Sequence, residues 1–442
     1  LKLEMEQRLT TSSQAKPKEA NQGEQQDDVS GIVLFTVSDD GTVRIGRPPK
    51  NYLDSYYDRA ITAGKLSHAD HVAFHPGGDM YVISGSNLYQ GSMPSEQGKS
   101  WISPDRQVGK GEWDQYKFLL FHPNGDLYAV TKSGHLYKGP APNNENISWG
   151  YEQATKIGDR IWNDFSAYFF DPEGMLYVVT PSGDLRKRSP PTSASDDWLG
   201  TSSIVGQGSW KDYTHFIRFT PDGYLWCVEN SNGYIYRGLP PANRGSRYVD
   251  KAEKLGCHYH QFHFTNFTRD KTIKSILGFD FLIDSAKTLS QSIEVVEKQV
   301  YNNARSTTPL KSTFSFNKTI KEVSEFTHEH GFTVAVGAEM TFTAGIPFIG
   351  DTETKVSLNR STTHNWKFSS TNEREVSFSA ATEVEVEGGK AVRLEATIRK
   401  AEINIPYRAT VRTLFGYEAT VSGTWNGVSH FDLVVKQEDV TP

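Results

Sequence analysis

The sequence predicts an all-β protein: a five-bladed β-propeller followed by an elongated β domain. Three observations predict it. One short phrase recurs four times, as Phe74-His75-Pro76-Gly77-Gly78-Asp79-Met80-Tyr81, Phe121-His122-Pro123-Asn124-Gly125-Asp126-Leu127-Tyr128, Phe170-Asp171-Pro172-Glu173-Gly174-Met175-Leu176-Tyr177 and Phe219-Thr220-Pro221-Asp222-Gly223-Tyr224-Leu225-Trp226. Its phenylalanines are 47, 49 and 49 residues apart, and a period near 50 marks an array of similar supersecondary units. After about residue 270 the repeat stops, Ser, Thr and Glu become more frequent, and long alternating strands begin.

Each phrase reads as two strands and a turn. An apolar strand ends at the Phe, Pro presets φ, and the Gly supplies a positive φ. A second strand starts at the apolar-aromatic pair. A second Gly turn follows, as in Asp39-Asp40-Gly41 or Lys132-Ser133-Gly134. A third strand ends near Ile45, Tyr89, Tyr137, Leu185 or Tyr236. After a loop that is usually Pro-rich, a last short strand ends at Gly64, Gly109, Gly158, Gly206 or Gly256. Four-stranded meanders of this kind are propeller blades.

The apolar-aromatic pair occurs five times, starting with Leu34-Phe35, but the first copy lacks its preceding Phe strand. The missing strand is expected far downstream, at Gln261-Phe262-His263-Phe264-Thr265. Pairing that segment with residues 32–37 closes the ring and leaves no open edge there. The expected organisation is a polar, disordered N-terminus over 1–30, a propeller over 31–267 and a second domain over 275–442.

Within the repeats, motifs recur in one order. The fourth has Asp196-Asp197-Trp198-Leu199-Gly200, then Ile204-Val205-Gly206-Gln207-Gly208-Ser209-Trp210. The second has Val108-Gly109-Lys110-Gly111-Glu112-Trp113, and the third has Ile157-Gly158-Asp159-Arg160-Ile161-Trp162. This order resembles the tachylectin-type propeller lectins across all five repeats. The resemblance implies glycan binding, with N-acetylhexosamines as the expected class. An aromatic ring can stack on the C–H face of a sugar while nearby polar groups fix its hydroxyls. Trp101, Trp113, Trp149, Trp162, Asp197, Trp198 and Trp210 are therefore the candidate carbohydrate-binding residues. A Trp repeated once per blade is equally well explained as packing between blades.

The clearest strand of the second half runs from Phe332 to Ala344 with period two. Its even positions are all apolar, and most of its odd positions are small or polar. Thr313 to Phe326 alternates less cleanly: Phe314, Phe316, Ile320 and Phe326 share a face, which Lys318 and Glu322 interrupt. Residues 327–331 then read as a polar tip, with His328 and His330 solvated. A soluble hairpin with one face on a core accounts for this pattern.

Two short motifs add to it. Gly345-Ile346-Pro347-Phe348-Ile349-Gly350-Asp351-Thr352-Glu353 and Ile403-Asn404-Ile405-Pro406-Tyr407 resemble the aerolysin and natterin pore-forming module over about residues 275–440. The resemblance implies that the hairpin Thr313–Ala344 inserts into a membrane. Phe332, Val334, Val336, Ala338, Met340 and Phe342 would then face lipid, and Thr333, Glu339, Thr341 and Thr343 the lumen. A single hairpin would leave edge N–H and C=O groups unsatisfied in lipid, so several copies must close a barrel as a homo-oligomer. The resemblance further implies a protein secreted in soluble form that acts at a target-cell membrane.

Composition narrows the remaining classes. The net charge of −6 over 442 residues gives no reason to expect nucleic acid. No apolar run reaches the length of a transmembrane helix. No signal peptide is visible. Cys227 and Cys257 can pair or remain as free thiols. His258, His260 and His263 do not share one strand face, so no metal is expected there. No phosphate loop or nucleophile motif suggests an enzyme, and no cofactor is expected. Two other readings stay open. One is a non-lytic multivalent lectin or agglutinin whose second half serves only oligomerisation. The other is a propeller hydrolase, which needs acidic residues converging on the central channel.

Overall fold

The computed structural model describes residues 31–335, 340–350 and 355–442. Blade one begins with β1 (Ile32–Val37), β2 (Thr42–Gly46) and β3 (Ile61–Lys65). Blade two is β4 (His71–Phe74), β5 (Met80–Ser84), β6 (Asn87–Gly91) and β7 (Gln107–Gly109). Blade three is β8 (Tyr116–Phe121), β9 (Leu127–Thr131), β10 (Leu136–Gly139) and β11 (Thr155–Gly158). Blade four is β12 (Ala167–Phe170), β13 (Leu176–Val179), β14 (Leu185–Arg188) and β15 (Ser203–Gly206). Blade five is β16 (Phe216–Phe219), β17 (Leu225–Val228), β18 (Ile235–Gly238) and β19 (Glu253–Gly256). The turn glycines Gly125, Gly174 and Gly223 have φ of +93°, +86° and +83°, as the Pro-x-Gly reading requires.

Ring closure follows the sequence reading. β20 (Phe264–Arg269) pairs antiparallel with β1, from Phe264 opposite Val37 to Arg269 opposite Ile32. The closing strand lies a few residues later than the expected 261–265. Every residue of β1 is buried, so its two edges had to be covered by β2 and β20.

The second domain is built on two long strands, β28 (Ala391–Thr413) and β29 (Glu418–Asp439). At about 3.3 Å per residue the 23 residues of β28 reach roughly 75 Å, which makes the domain elongated. β21 (Thr272–Phe281) and β22 (Lys287–Asn302) pair with opposite ends of β28. β23 (Leu310–His328) pairs with β29 over only four residues, Glu325–His328, and otherwise with β27 (Asn372–Val386). The two-residue β24 (Thr333–Val334) pairs parallel with the start of β21.

One expectation is corrected here. Among the described residues, Thr313–Phe326 does not pair with Phe332–Ala344. His330 and Gly331 take φ of +58° and +75° and turn the chain away, so β23 meets β27 instead. A real hairpin lies one strand later. β25 (Thr341–Ile349) pairs with β26 (Val356–Lys367) as a separate two-stranded sheet. Pro347 is tolerated there because β25 has only one partner.

The two domains meet through specific contacts. Asp270 accepts from Phe415 N at 2.8 Å, and the Tyr417 hydroxyl donates to Ile32 O at 2.7 Å. Arg47 donates to Phe415 O at 2.7 Å and lies 4.2 Å over the Tyr417 ring. Lys271 Nζ donates to His330 O at 2.5 Å beside a cavity of about 240 Å³. That cavity is lined by the blade-two turn at Gly77 and Gly78 and by Thr333, Val334 and Ala335.

Candidate functional site

In the propeller, the two recurring aromatic positions meet each other. Trp113 lies 5.6 Å from Trp149, Trp162 lies 5.4 Å from Trp198, and Trp210 lies 5.4 Å from Tyr248, measured between ring centroids. At the seam between blades five and one the pair is Tyr259 and Tyr56, at 6.2 Å. At the seam between blades one and two Leu66 and Trp101 share one core. Each pair thus fills one inter-blade core, five times around the ring.

The local chemistry is also repeated. The indole N–H groups of Trp101, Trp149 and Trp198 donate to the carbonyls of Ser92, Pro140 and Ser189, at 2.8, 2.7 and 2.8 Å. The Tyr56 hydroxyl donates in the same way to Leu34 O at 2.9 Å. Gly109, Gly158 and Gly206 let the partner Trp approach. A Cβ on any of them would fall within 3 Å of the Trp113, Trp162 or Trp210 ring. Glycine four residues before Trp is therefore a packing signature.

This changes the part expected of the tryptophans. The rings of Trp101, Trp113, Trp149, Trp162, Trp198 and Trp210 are 0 to 5% exposed. They act as wedges between blades and present no open face for a sugar. Asp197 is exposed, and its carboxylate accepts from Gly200 N at 3.0 Å, capping the short helix that carries Trp198. The polar groups nearest this aromatic layer were not singled out from the sequence. Glu112 accepts from Trp149 N at 2.7 Å and from the Ser148 hydroxyl at 2.9 Å, joining two successive segments of the repeat.

In the second domain the structure brings the predicted apolar residues together. Phe332, Val334, Met340 and Phe342 all join one core with Phe281, Phe326, Trp366, Phe368, Tyr407 and Trp425. Thr333, Thr341 and Thr343 are exposed, so inward and outward positions alternate as the period-two pattern requires. Val336, Ala338 and Glu339 lie outside the described residues.

The hairpin β25–β26 roofs this core with almost no backbone attachment to the main sheet. Its ladder hydrogen bonds run within the pair. Ile349 N donates to the Ser429 hydroxyl at 3.2 Å, and Phe368 N, just past β26, donates to Met340 O at 2.8 Å. Burying an apolar side chain contributes about 1.5–3 kcal/mol. Six buried side chains lie on the hairpin or directly beside it: Met340, Ile346, Ile349, Val356, Trp366 and Phe368. Their cover in water is therefore worth on the order of 10–20 kcal/mol, as an upper bound. Packing, not the backbone ladder, holds the hairpin down.

Two polar groups lie beneath it. His328 is half-buried rather than solvated. Its Nδ1 lies 2.6 Å from the Tyr407 hydroxyl and its Nε2 lies 3.1 Å from Phe368 O, at the foot of β26. Burial pushes its pKa below the usual imidazole value, against the opposing pull of the Phe368 carbonyl. Glu322, which interrupts an apolar face in the sequence, is a buried ion-pair centre. It accepts from His430 N at 2.7 Å and His430 Nδ1 at 3.0 Å, and it also pairs with Arg374. Burial works to raise its pKa, but His430 and Arg374 outweigh that and hold it below the usual carboxylate value.

Cys227 and Cys257 are both free, Cys227 being buried. Among the described residues no group of His, Cys, Asp and Glu is arranged to hold a metal ion. The five innermost blade strands contain no Asp or Glu, so the acidic cluster that a propeller hydrolase needs is not on them.

Comparison with known proteins agrees with this division. Residues 36–264 match the Tachylectin family model. Residues 259–433 match the family of Clostridium epsilon toxin ETX and Bacillus mosquitocidal toxin MTX2. No curated protein matches the sequence. One similar solved structure is described as the de novo evolutionary emergence of a symmetrical protein shaped by folding constraints. It is 30% identical over 53% of this chain and 98% of its own, with a TM-score of 0.46. The lamprey immune protein is 15% identical over 71% of this chain and 87% of its own, with a TM-score of 0.32. An aerolysin-like protein of Bombina maxima is 12% identical over 37% of this chain and 97% of its own, with a TM-score of 0.26. The chain belongs to the Tachylectin family, and its five-bladed propeller is joined to a β domain of the aerolysin-like ETX/MTX2 type.

Proposed function

We propose that this protein is a lectin-targeted pore-forming protein. The propeller concentrates it on glycans bearing N-acetylhexosamines, using the polar rim over the inter-blade seams. With the tryptophans sealed below, that rim comprises exposed Asp197 and the groups around Glu112 and Ser148. Five weak sites on one ring would give avidity on a clustered glycan surface. The second domain then releases its hairpin, and several copies close a barrel in the target membrane. Secretion in soluble form fits this cycle.

One observation carries the pore-forming half. Among the described residues β25–β26 is a hairpin whose strands pair only with each other, with a covered apolar side. Its strands of 9 and 12 residues match the roughly 9–11 that a transmembrane strand needs. Phe342, and Met340 just before it, would turn from the core to lipid, while Thr341 and Thr343 would line the lumen.

A disulfide lock tests this reading. Ile349→Cys with Ser429→Cys joins the hairpin to β29 where Ile349 N and Ser429 Oγ are 3.2 Å apart. The oxidised variant should bind N-acetylhexosamine-bearing vesicles without releasing dye, and reduction should restore release. Equal release from the oxidised and reduced forms would rule out this hairpin. Glycan binding with no release in any state of the wild type would favour the non-lytic lectin.

A further inference from the structure

The innermost strands β4, β8, β12, β16 and β20 surround the propeller axis. Aligned on Phe74, Phe121, Phe170, Phe219 and Phe267, the preceding positions hold Ala73, Leu120, Phe169, Arg218 and Asn266. Arg218 is the single charge in that set. Its guanidinium carbon lies 5.8 Å from the centre of the Phe118 ring. Phe118 is on β8 of blade three and Arg218 is on β16 of blade five, so the side chain reaches across the axis to a non-adjacent blade. The His71 ring of blade two packs on Phe118 at 4.7 Å, and its Nε2 lies 3.0 Å from Leu119 O.

The guanidinium is poorly matched. Its Nη1 donates to Ile217 O at 2.8 Å, the carbonyl of its own chain neighbour. Among the described residues no carboxylate pairs with it or lowers the cost of its charge. Arg218 is half-buried, so part of its side chain stays accessible. Burial pulls the Arg218 pKa down to about 10, which still leaves it charged at neutral pH. His71 adds no charge, since burial pushes it down to about 4. A half-buried cation without a carboxylate partner carries a desolvation cost, and a guanidinium is shaped to bind an oxyanion through two N–H groups.

We infer that Arg218, where it reaches across the inner strands to Phe118, binds a small oxyanion through the N–H groups that Ile217 leaves free. Sulfate, phosphate and a free carboxylate share the required chemistry. The site is independent of glycan binding at the seams and of the hairpin.

The test is thermal unfolding of the full chain with sulfate, phosphate or acetate titrated at constant ionic strength, for wild type and Arg218→Met. Met keeps the length and apolar stem of this half-buried side chain, so the variant is expected to fold. An anion at 100 times its Kd favours the folded state about 100-fold, which corresponds to roughly 5–10 °C in Tm. The wild type should show this gain with at least one anion, and Arg218→Met should show only the smaller general effect of the salt. Crystals soaked in selenate should give an anomalous peak within hydrogen-bond reach of the Arg218 guanidinium. Equal gains in the two proteins, or occupied surface sites with no peak at Arg218, would overturn the inference.

Discussion

Gly206→Ala isolates the packing rule of the propeller in one methyl group. Gly206 ends β15 with an ordinary backbone conformation, so alanine is not strained there by its dihedrals. Its Cβ would sit 2.8 Å from Cδ1 and 2.9 Å from Cε2 of Trp210, and closer still to the indole nitrogen. The ring cannot swing aside, because it is 5% exposed and packs on Tyr248 at 5.4 Å and Tyr213 at 6.1 Å. Overpacking of this kind costs about 1–3 kcal/mol, and three close atoms on a confined ring put this case near the top. The loss of glycine's freedom in the unfolded chain returns about 0.4–1 kcal/mol. The net expectation is about 2 kcal/mol of destabilisation, or roughly 4–8 °C in Tm. Urea unfolding followed by tryptophan fluorescence reads it directly. In a Trp210→Leu background the same alanine should cost about nothing, because the ring it strikes is gone. Gly208→Ala, with nothing within 4 Å but a φ of +81°, should cost about 1 kcal/mol in either background from backbone strain alone. A Gly206→Ala cost below about 0.5 kcal/mol, or an equal cost with and without the Trp210 ring, would refute the packing account.

Two further predictions concern the groups under the hairpin. Glu322→Gln should destabilise the second domain by about 3–5 kcal/mol at neutral pH, since it leaves Arg374 and His430 without their carboxylate. The folded pKa of Glu322 is depressed, so its stabilisation is present above the unfolded value and disappears as pH falls through the folded one. Denaturation curves of the two proteins should therefore converge in acid, and a gap that stays constant below pH ~3 would exclude this linkage. For His328 the depressed pKa means that stability is present above the unfolded imidazole value and declines as pH falls from there through the folded value. Dye release from glycan-bearing vesicles should accordingly rise below pH ~6.5, and His328→Gln should flatten that dependence. A wild-type profile flat between neutral and mildly acidic pH would remove His328 from the trigger.

Much of the propeller is legible in the sequence because its order is local. Each turn is marked by Pro and Gly, and each strand is short, so the repeat of Phe, Pro, Gly and aromatic residues carries the blade directly. Ring closure was also legible, because a missing strand in the first repeat demanded a partner elsewhere. The depth of the tryptophans was not. A spacing says that two rings recur, but not that Trp162 and Trp198 meet at a tilt of 52° inside a seam.

In the second domain the alternation of Phe332–Ala344 showed which side is apolar, and the structure buries that side. It could not show which strand pairs with which, because a period of two is the same for every possible partner. β23 accordingly goes to β27, and the hairpin partner is the polar Val356–Lys367, whose alternation is weak apart from Trp366. Glu322 looked like an interruption of an apolar face, because its partners Arg374 and His430 are far away in the chain.

The pairing of β1 with β20 has a consequence for biosynthesis. β1 leaves the ribosome more than 220 residues ahead of its closing partner β20, which is the last strand of the propeller. At about 5–20 residues per second the interval between them is on the order of tens of seconds. Throughout it Ile32-Val33-Leu34-Phe35 has one unpaired edge and no finished core around it. The same emergence that supplies β20 delivers Asp270 and the start of β21, so completion of the ring and nucleation of the second domain are consecutive events on one stretch of nascent chain.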